Sequence, residues 1–322
     1  MNQYKQLSYE QRCHIYILKR SQLSQRKIAE LIGVNQSTIS REVNRNSGGV
    51  GYLSAQAQRK SRYRRHQAVK AIKMTDRVVD MIEKKLREDW SPEQVSGWLA
   101  EEKKIGISHE RIYLHIWSDK RAGGGLYTHL RRQGKRYIKR GSKIRSRGQI
   151  KDRVSIEERP MVVDDYSRVG DWEIDTVIGK GQSGAMVTIV ERKTKFTVAA
   201  QVPDRKAETV TQATLKLLEP YKSAVLTITG DNGKEFSYHK EITKVLGAPV
   251  YFCHPYRSCE RGLNENTNGL LRQYWPKNTD FKKVNQREVA KVLRKLNRRP
   301  RKILNYKTPA DLMSKHIKAI AA

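Results

Sequence analysis

The chain has 322 residues, 37% of them hydrophobic, and its 65 Lys and Arg against 33 Asp and Glu give a formal net charge of +32. That length and apolar content supply cores for two or three domains, which argues against a wholly disordered basic chain, and so large a positive excess points to a polyanion, nucleic acid first, as partner. No apolar run approaches the roughly 18 residues that cross a bilayer, and MNQYKQLSYEQRCH lacks a signal-peptide core, so a soluble cytoplasmic chain with no membrane role is expected.

The first legible module is residues 8–46, within a helix-turn-helix DNA-binding domain expected over 1–50. Ile15 and Leu18, then Ile28 and Leu31, are spaced for apolar helix faces; Ser24 can cap the second helix and Gly33 ends it. A turn at Gly33-Val34-Asn35 leads to a third helix with Ile39 and Val43 inward. Its outward residues, Gln36, Ser37, Thr38, Ser40 and Arg41, are short or forked donors that suit base edges and phosphates. Residues 51–74 include RKSRYRRHQAVKAIK (59–73) and read as a basic linker. Over 75–120 the order of parts repeats: TDRVVDMIEKKLRED, then a helix opened by Ser91, Pro92 and Gln94 in capping-box spacing, then ISHERIYLHIW with Ser108 as cap. This predicts a second helix-turn-helix-like module with His109, Arg111 and Tyr113 outward, Arg111 being the candidate DNA contact; a helical bracket that only positions its neighbours is the alternative. A second basic linker spans 121–159. Its stretch 131–153 has eleven basic residues in twenty-three and is expected to track phosphates.

From residue 160 to 310 strands and helices alternate. GDWEIDTVIG alternates like a strand, AMVTIVERKTKFTVAAQV is a hairpin about Glu191-Arg192-Lys193-Thr194, and 207–219 is a helix. AVLTITGDNG, EFSYHKEITKVLG and APVYFCHPY follow as strand, helix and strand. The expected fold is therefore multidomain: all-α modules followed by an α/β core on a mixed five-stranded sheet, with 311–322 as a C-terminal tail.

Two carboxylates lie where α/β chemistry gathers, at strand ends: Asp175 in WEIDTV and Asp231 after TITG. Glu265 opens the helix after the last strand, with 55 residues between the two aspartates and 33 between Asp231 and Glu265. On that helix Leu263, Thr267, Leu270 and Tyr274 read as the core stripe. Glu265 lies off it, beside Asn268, Gly269 and Arg272. Three converging acids in a chain that seeks polyanions call for a counter-cation, and a pair of hard divalent ions, Mg²⁺ with Mn²⁺ as a substitute, would hold them as ligands, activate water or a 3′-hydroxyl, and stabilise the leaving oxygen. Glu173 and Asp171 share the face of Asp175, so a surface or capping role is each acid's simpler reading. Arg261, Asn264, Asn266 and Arg272 are the expected phosphate contacts beside the site. His239 and His254 are expected to be structural or DNA-facing, and Trp172 a core residue. Cys13, Cys253 and Cys259 match no zinc spacing and no disulfide framework.

GDWEIDTVIG, ERKTK, TITGDNGKEF, YFCHPYRSCERGLNENTNGLLRQYWPKNTDF and LNRRPRKILNYKTP, together with STISREVNRN and SPEQ, resemble the insertion-sequence-thirty family of DDE transposases over nearly the whole chain. The resemblance implies a ribonuclease-H-like, retroviral-integrase-like core, with Asp175, Asp231 and Glu265 as the DDE triad at the family's spacing. It implies a bacterial, nucleoid-associated enzyme that binds double-stranded DNA, both the terminal inverted repeats and the target, cuts with divalent metal, transfers a 3′-hydroxyl strand, and works as a homodimer or higher oligomer. Cys259 departs from the family, which usually has tryptophan there. A DNA-binding regulator that uses only the helix-turn-helix, and a ribonuclease acting on RNA–DNA hybrids, are the competing functions.

Overall fold

The computed structural model describes residues 6–68, 73–132, 150–255 and 257–321, and the chain divides into two compact units, 1–72 and 73–322. Most of the basic stretch 131–153 lies outside the described residues, as does the side chain of Cys259.

The first unit is built on α1 (Tyr9–Arg20), α2 (Gln25–Ile32), α3 (Gln36–Asn46) and α4 (Ser54–Gln67). Its helix ends are set by local chemistry. Ser8 and Gln11 form a capping box on α1, Ser24 caps α2, Gly33 closes it at φ 74°, and the Asn35 side chain caps α3. Ile15, Ile28, Ile39 and Val43 are buried as expected, but Leu31 is 57% exposed, and Ala29 and Ile32 pack in its place. Helix α4 corrects the expected linker. It lacks an apolar stripe and is held instead by Arg12, which is 5% exposed. Arg12 donates to Glu42 (2.8 Å) on α3, to the Leu7 carbonyl (2.8 Å), and to Gln58 (2.6 Å) and Ser61 (3.2 Å) on α4. A buried guanidinium with this many acceptors fixes three helices at once.

The second unit opens with α5 (Asp76–Arg87), α6 (Pro92–Lys103) and α7 (His109–Arg121), which enclose Ile82, Leu86, Val95, Leu99, Ile112 and Ile116. Ser91 and Gln94 form the expected capping box. Tyr306, far along the chain, closes on α6 at Gly97: a Cβ at Gly97 would stand 1.9 Å from Tyr306 Cε1. Gly97→Ala would gain about 1 kcal/mol in helix propensity, but the overpacking, about 1–3 kcal/mol, acts against it. The expected result is a lower urea midpoint and melting temperature, read by tryptophan fluorescence; a raised midpoint would show that the ring moves aside without cost.

The sheet has six strands in the order β1-β6-β5-β2-β3-β4: β1 (Val154–Ser155), β2 (Asp171–Ile178), β3 (Ala185–Glu191), β4 (Thr197–Val202), β5 (Thr227–Gly230) and β6 (Val250–Phe252). Strands β2, β3 and β4 form an antiparallel meander; β5 lies parallel to β2, β6 to β5, and the two-residue β1, not foreseen, to β6. This is the integrase-like, ribonuclease-H-like mixed sheet. Helices α8 (Ala207–Leu218) and α9 (His239–Leu246) bury Val210, Leu218, Ile242 and Leu246 with Trp172, Ile174, Ile189 and Ile228. Helix α12 (Pro309–Ala321), where a tail was expected, adds Met313 to the same core. Helices α10 (Gly262–Leu271) and α11 (Gln286–Asn297) pack in the other cluster, with Leu271, Val289, Val292 and Leu296 around Val177, Met186 and Ala199. Because successive strand residues alternate faces, Val177 brings Asp171, Glu173 and Asp175 to the α10 side.

Candidate active site

Helix α10 runs along β2 in register. The Asn264 backbone N–H donates to Glu173 (3.1 Å) and the Asn268 amide to Asp175 (2.8 Å), while Leu271 packs in the cluster that holds Val177. The buried stripe is therefore Asn264, Thr267 and Leu271, continued by Trp275, one position round from the expected stripe. Each acid on this face of β2 has its own partner. Asp171 accepts from Arg168 (2.9 and 3.0 Å) and from Thr227 (2.7 Å), and Glu173, fully buried, pairs with Arg192 at 2.8 Å. Burial pushes the Glu173 carboxyl up from its ordinary value, with Arg192 opposing.

Asp175 and Asp231 come together, since β2 and β5 are adjacent parallel strands. Arg261, at the head of α10, reaches both: Nη1 lies 3.3 Å from Asp175 Oδ1 and Nη2 3.5 Å from Asp231 Oδ2. Burial raises the Asp175 carboxyl, Arg261 pulls it down, and the neighbouring Asp231 charge raises it further. Backbone N–H groups of Thr176 and Gly233 donate to Asp175 and Asp231, each at 2.9 Å, and Thr188 donates to the Asn268 side-chain oxygen (3.0 Å), which fixes the direction of the amide. The paired carboxylates present hard oxygen donors around one cationic group, so the donor chemistry and the charge suit a divalent ion. Glu265 is exposed on α10, between Arg261 and Asn268 in helical order. Among the described residues no three His, Cys, Asp or Glu side chains are gathered closely enough to hold an ion, so the aspartates meet and Glu265 stands apart from them.

Several expected DNA contacts are corrected. Asn264 is fully buried and bound through its backbone to Glu173, so it cannot face a phosphate. Arg261 is turned to the acids. Arg272 donates to the Ile178 carbonyl (2.8 Å) and lies over the Phe281 ring (5.7 Å), a packing role. Asn266 is exposed, as are Gln36, Ser37, Arg41 and Arg111, whereas Thr38 and Ser40 are half-buried. Sequence reasoning missed Asn268 as a partner of Asp175, and it also missed Glu235. Glu235 is 6% exposed, accepts from Thr176 (2.8 Å) and pairs with Arg205 (2.8 Å) beside Asp231. Its position in GDNGKEF, four residues after Asp231, was the available signal.

The histidines are structural. His239 sits against Phe252 and the Asp152 carbonyl. His254 bridges Glu260 (2.8 Å) and Glu157 (3.1 Å), and its hydrogen bonds to these two carboxylates, Glu260 first, raise its pKa. A raised folded-state value means that the contribution is fully present below the unfolded pKa of about 6.5 and is lost as pH rises through the higher folded value. Wild type is therefore expected to lose stability relative to His254→Ala as pH rises from slightly acid to slightly alkaline. Parallel stability curves for the two proteins across that range would contradict it. Burial pushes the Cys253 thiol up to about 12, so it is inert.

Residues 3–46 match a family of helix-turn-helix domains and residues 165–258 the integrase core domain family, a match that ends before Glu265. The chain is 45% identical over 309 residues to the transposase for insertion sequence element IS4351 of Bacteroides fragilis, covering 95% of each chain. It is 35% identical over 324 residues to the transposase for IS1086 of Cupriavidus metallidurans, covering 97% of this chain and 95% of that one. It is also 35% identical over 312 residues to transposase InsI for IS30A of Escherichia coli, covering 92% of this chain and 80% of that one. The chain belongs to the insertion-sequence-thirty family of transposases. The transposase thus joins a helix-turn-helix unit to an integrase core whose two aspartates surround one arginine. Among its described residues no helix is long and apolar enough to cross a membrane.

Proposed function

We propose that this transposase binds the terminal inverted repeats of its element, cleaves at their ends, and joins the freed 3′-hydroxyls to target DNA, acting on bacterial DNA in the cytoplasm. The observation that carries the reading is the pair Asp175 and Asp231, held within 3.3 and 3.5 Å of one guanidinium on a chain of net charge +32. Acids brought together in so basic a protein serve to gather cations at a phosphodiester. Asp175, Asp231 and Glu265 are the residues that would hold divalent metal, Mg²⁺ or Mn²⁺, which when bound activates an oxygen nucleophile and neutralises charge on the leaving oxygen.

The chain's own groups do the positioning. Asn268, itself oriented by Thr188, sets the rotamer of Asp175 through its 2.8 Å hydrogen bond. Glu173 anchors the first turn of α10 and so sets where Glu265 is presented. Arg261, 3.3 and 3.5 Å from the two aspartates, offsets their mutual repulsion. Gln36, Ser37 and Arg41, exposed on α3, supply the base and phosphate contacts of end binding, with Thr38 and Ser40 at the margin and Arg111 on α7 as a further phosphate contact. Joining two ends requires at least two copies on the DNA. The reading is tested by incubating the chain with Mg²⁺, a duplex cut from its element's end and a supercoiled plasmid: end fragments joined to plasmid through their 3′ strands are expected. Tight end binding with no nicked or joined product would leave only the regulator reading.

A further inference from the structure

Where the start of α6, helix α7 and the segment after it, helix α10 and the segment after α11 meet, the second unit has a cavity of about 700 Å³. Its lining includes four arginines, Arg131, Arg132, Arg299 and Arg301, together with Asn266, the residue that follows Glu265 on α10. Asp89 is the one carboxylate among the described lining residues, and it is already engaged by Lys295 (2.7 Å), His129 (2.8 Å) and the Tyr274 hydroxyl (3.0 Å). Arg299 is 3% exposed, and its donors go to the neutral Gln273 and Tyr274; Arg301 gives one donor to the Leu296 carbonyl. The Nε atoms of both are buried without an acceptor. Burial, followed by the charges of Arg299 and Arg131, pushes the Arg301 guanidinium down to about 10. The guanidiniums of Arg131, Arg299 and Arg301 therefore stand near one another at a cavity whose one described carboxylate is held by Lys295, His129 and Tyr274, an arrangement that is costly until an anion enters.

We infer that this cavity is a seat for the backbone phosphate of one DNA strand, placed beside the helix that carries Glu265. The volume lies in the range of about 300–1,000 Å³ that ligand pockets occupy, enough for a nucleotide-sized segment. Forked arginine donors match two oxygens of a phosphodiester, and the uncharged Asn266 at the cavity edge adds a donor without adding repulsion. The seat rests on the reading of the chain as a DNA-processing enzyme. Its arginines lie outside both helix-turn-helix modules, and its edge residue Asn266 is next in sequence to the acid on α10.

The test is the salt dependence of binding between the full-length chain and a labelled random-sequence duplex. Removing one phosphate contact lowers the slope of log affinity against log salt by about 0.9. The expected result is a slope lower by about 1 for Arg131→Gln and by about 2 for Arg131→Gln with Arg301→Gln, whereas Arg131→Lys with Arg301→Lys keeps the wild-type slope. Arg131→Gln changes an exposed side chain and so tests the seat even if the double variant misfolds. Slopes equal to wild type in the Gln variants would overturn the seat, as would an equal reduction in the Gln and Lys pairs. Arg41→Gln on α3 distinguishes failure of the seat from failure of the function it rests on. If Arg41→Gln lowers the slope and Arg131→Gln does not, only the seat fails; if the wild-type chain shows no salt-dependent DNA binding, the transposase reading fails with it.

Discussion

Glu265→Gln is expected to lower strand cleavage at an element end on the order of 10³-fold while leaving the melting temperature and end binding unchanged. The separation follows from where the residue sits. Glu265 is exposed on α10, so an uncharged isostere removes no buried contact that supports the fold. Asp175→Asn differs in kind: it also alters the partner of Arg261 (3.3 Å) and of Asn268 (2.8 Å), and a shift in stability should accompany its loss of cleavage. Thermal melts and a single-turnover nicking assay on the same preparations check both statements. Wild-type cleavage by Glu265→Gln would remove this residue from the site.

Arg192→Ala is expected to cost about 3–5 kcal/mol in urea unfolding, the largest single effect on stability. Arg192 is 2% exposed and reaches Glu173 (2.8 Å), the Val163 carbonyl (3.2 Å) and Asp164 (3.4 Å). Removing it leaves the fully buried Glu173 with the Asn264 N–H and only the weaker influence of the Arg261 and Lys195 charges. The carboxyl, already raised by burial, would then take up a proton at higher pH still. The extra loss in Arg192→Ala should therefore be greatest at neutral pH and shrink in acid, where a neutral Glu173 no longer needs a cation. Arg192→Ala with Glu173→Gln should recover part of it at neutral pH. A cost below about 1 kcal/mol for Arg192→Ala would place the pair among those that contribute nothing measurable.

How far the sequence could be read follows from the range of the interactions involved. In the first unit the signals were local: Ser24, Gly33 and Asn35 fix helix ends within a few residues of themselves, and they sit where the spacing placed them. The strands and helices of the core and the hairpin about Glu191–Thr194 followed from alternation in the same way, and the pairing of β2 with β5 then brings the two strand-end aspartates together. Helix α4 escaped because its order comes from contacts with residues distant in sequence, those of Arg12 to Gln58 and Ser61, of Lys60 to the Ser47 carbonyl and of Arg64 to the Arg45 carbonyl, which leave no periodic trace. Strand β1 has two residues and no pattern to read. On α10 the apolar spacing of Leu263, Leu270 and Tyr274 pointed to one face. The polar hand-holds Glu173 and Asp175, distant in sequence, turned the helix by one position and buried Asn264 instead. The same distance hid the role of Arg261. Its neighbours in sequence implied a phosphate contact, and its neighbours in space are two carboxylates.

If Asp175, Asp231 and Glu265 support divalent-metal-dependent phosphoryl transfer on DNA, the nicking rate of an end-bound duplex must depend on both the metal and the acids. That rate is to be followed against Mg²⁺ concentration for wild type and for Asp231→Asn. Wild type is expected to show a saturable Mg²⁺ requirement and no cleavage when the metal is chelated, and Asp231→Asn to lose cleavage with the duplex still bound. Cleavage that survives chelation, or an Asp231→Asn variant that nicks at the wild-type rate, would rule out this chemistry at these residues.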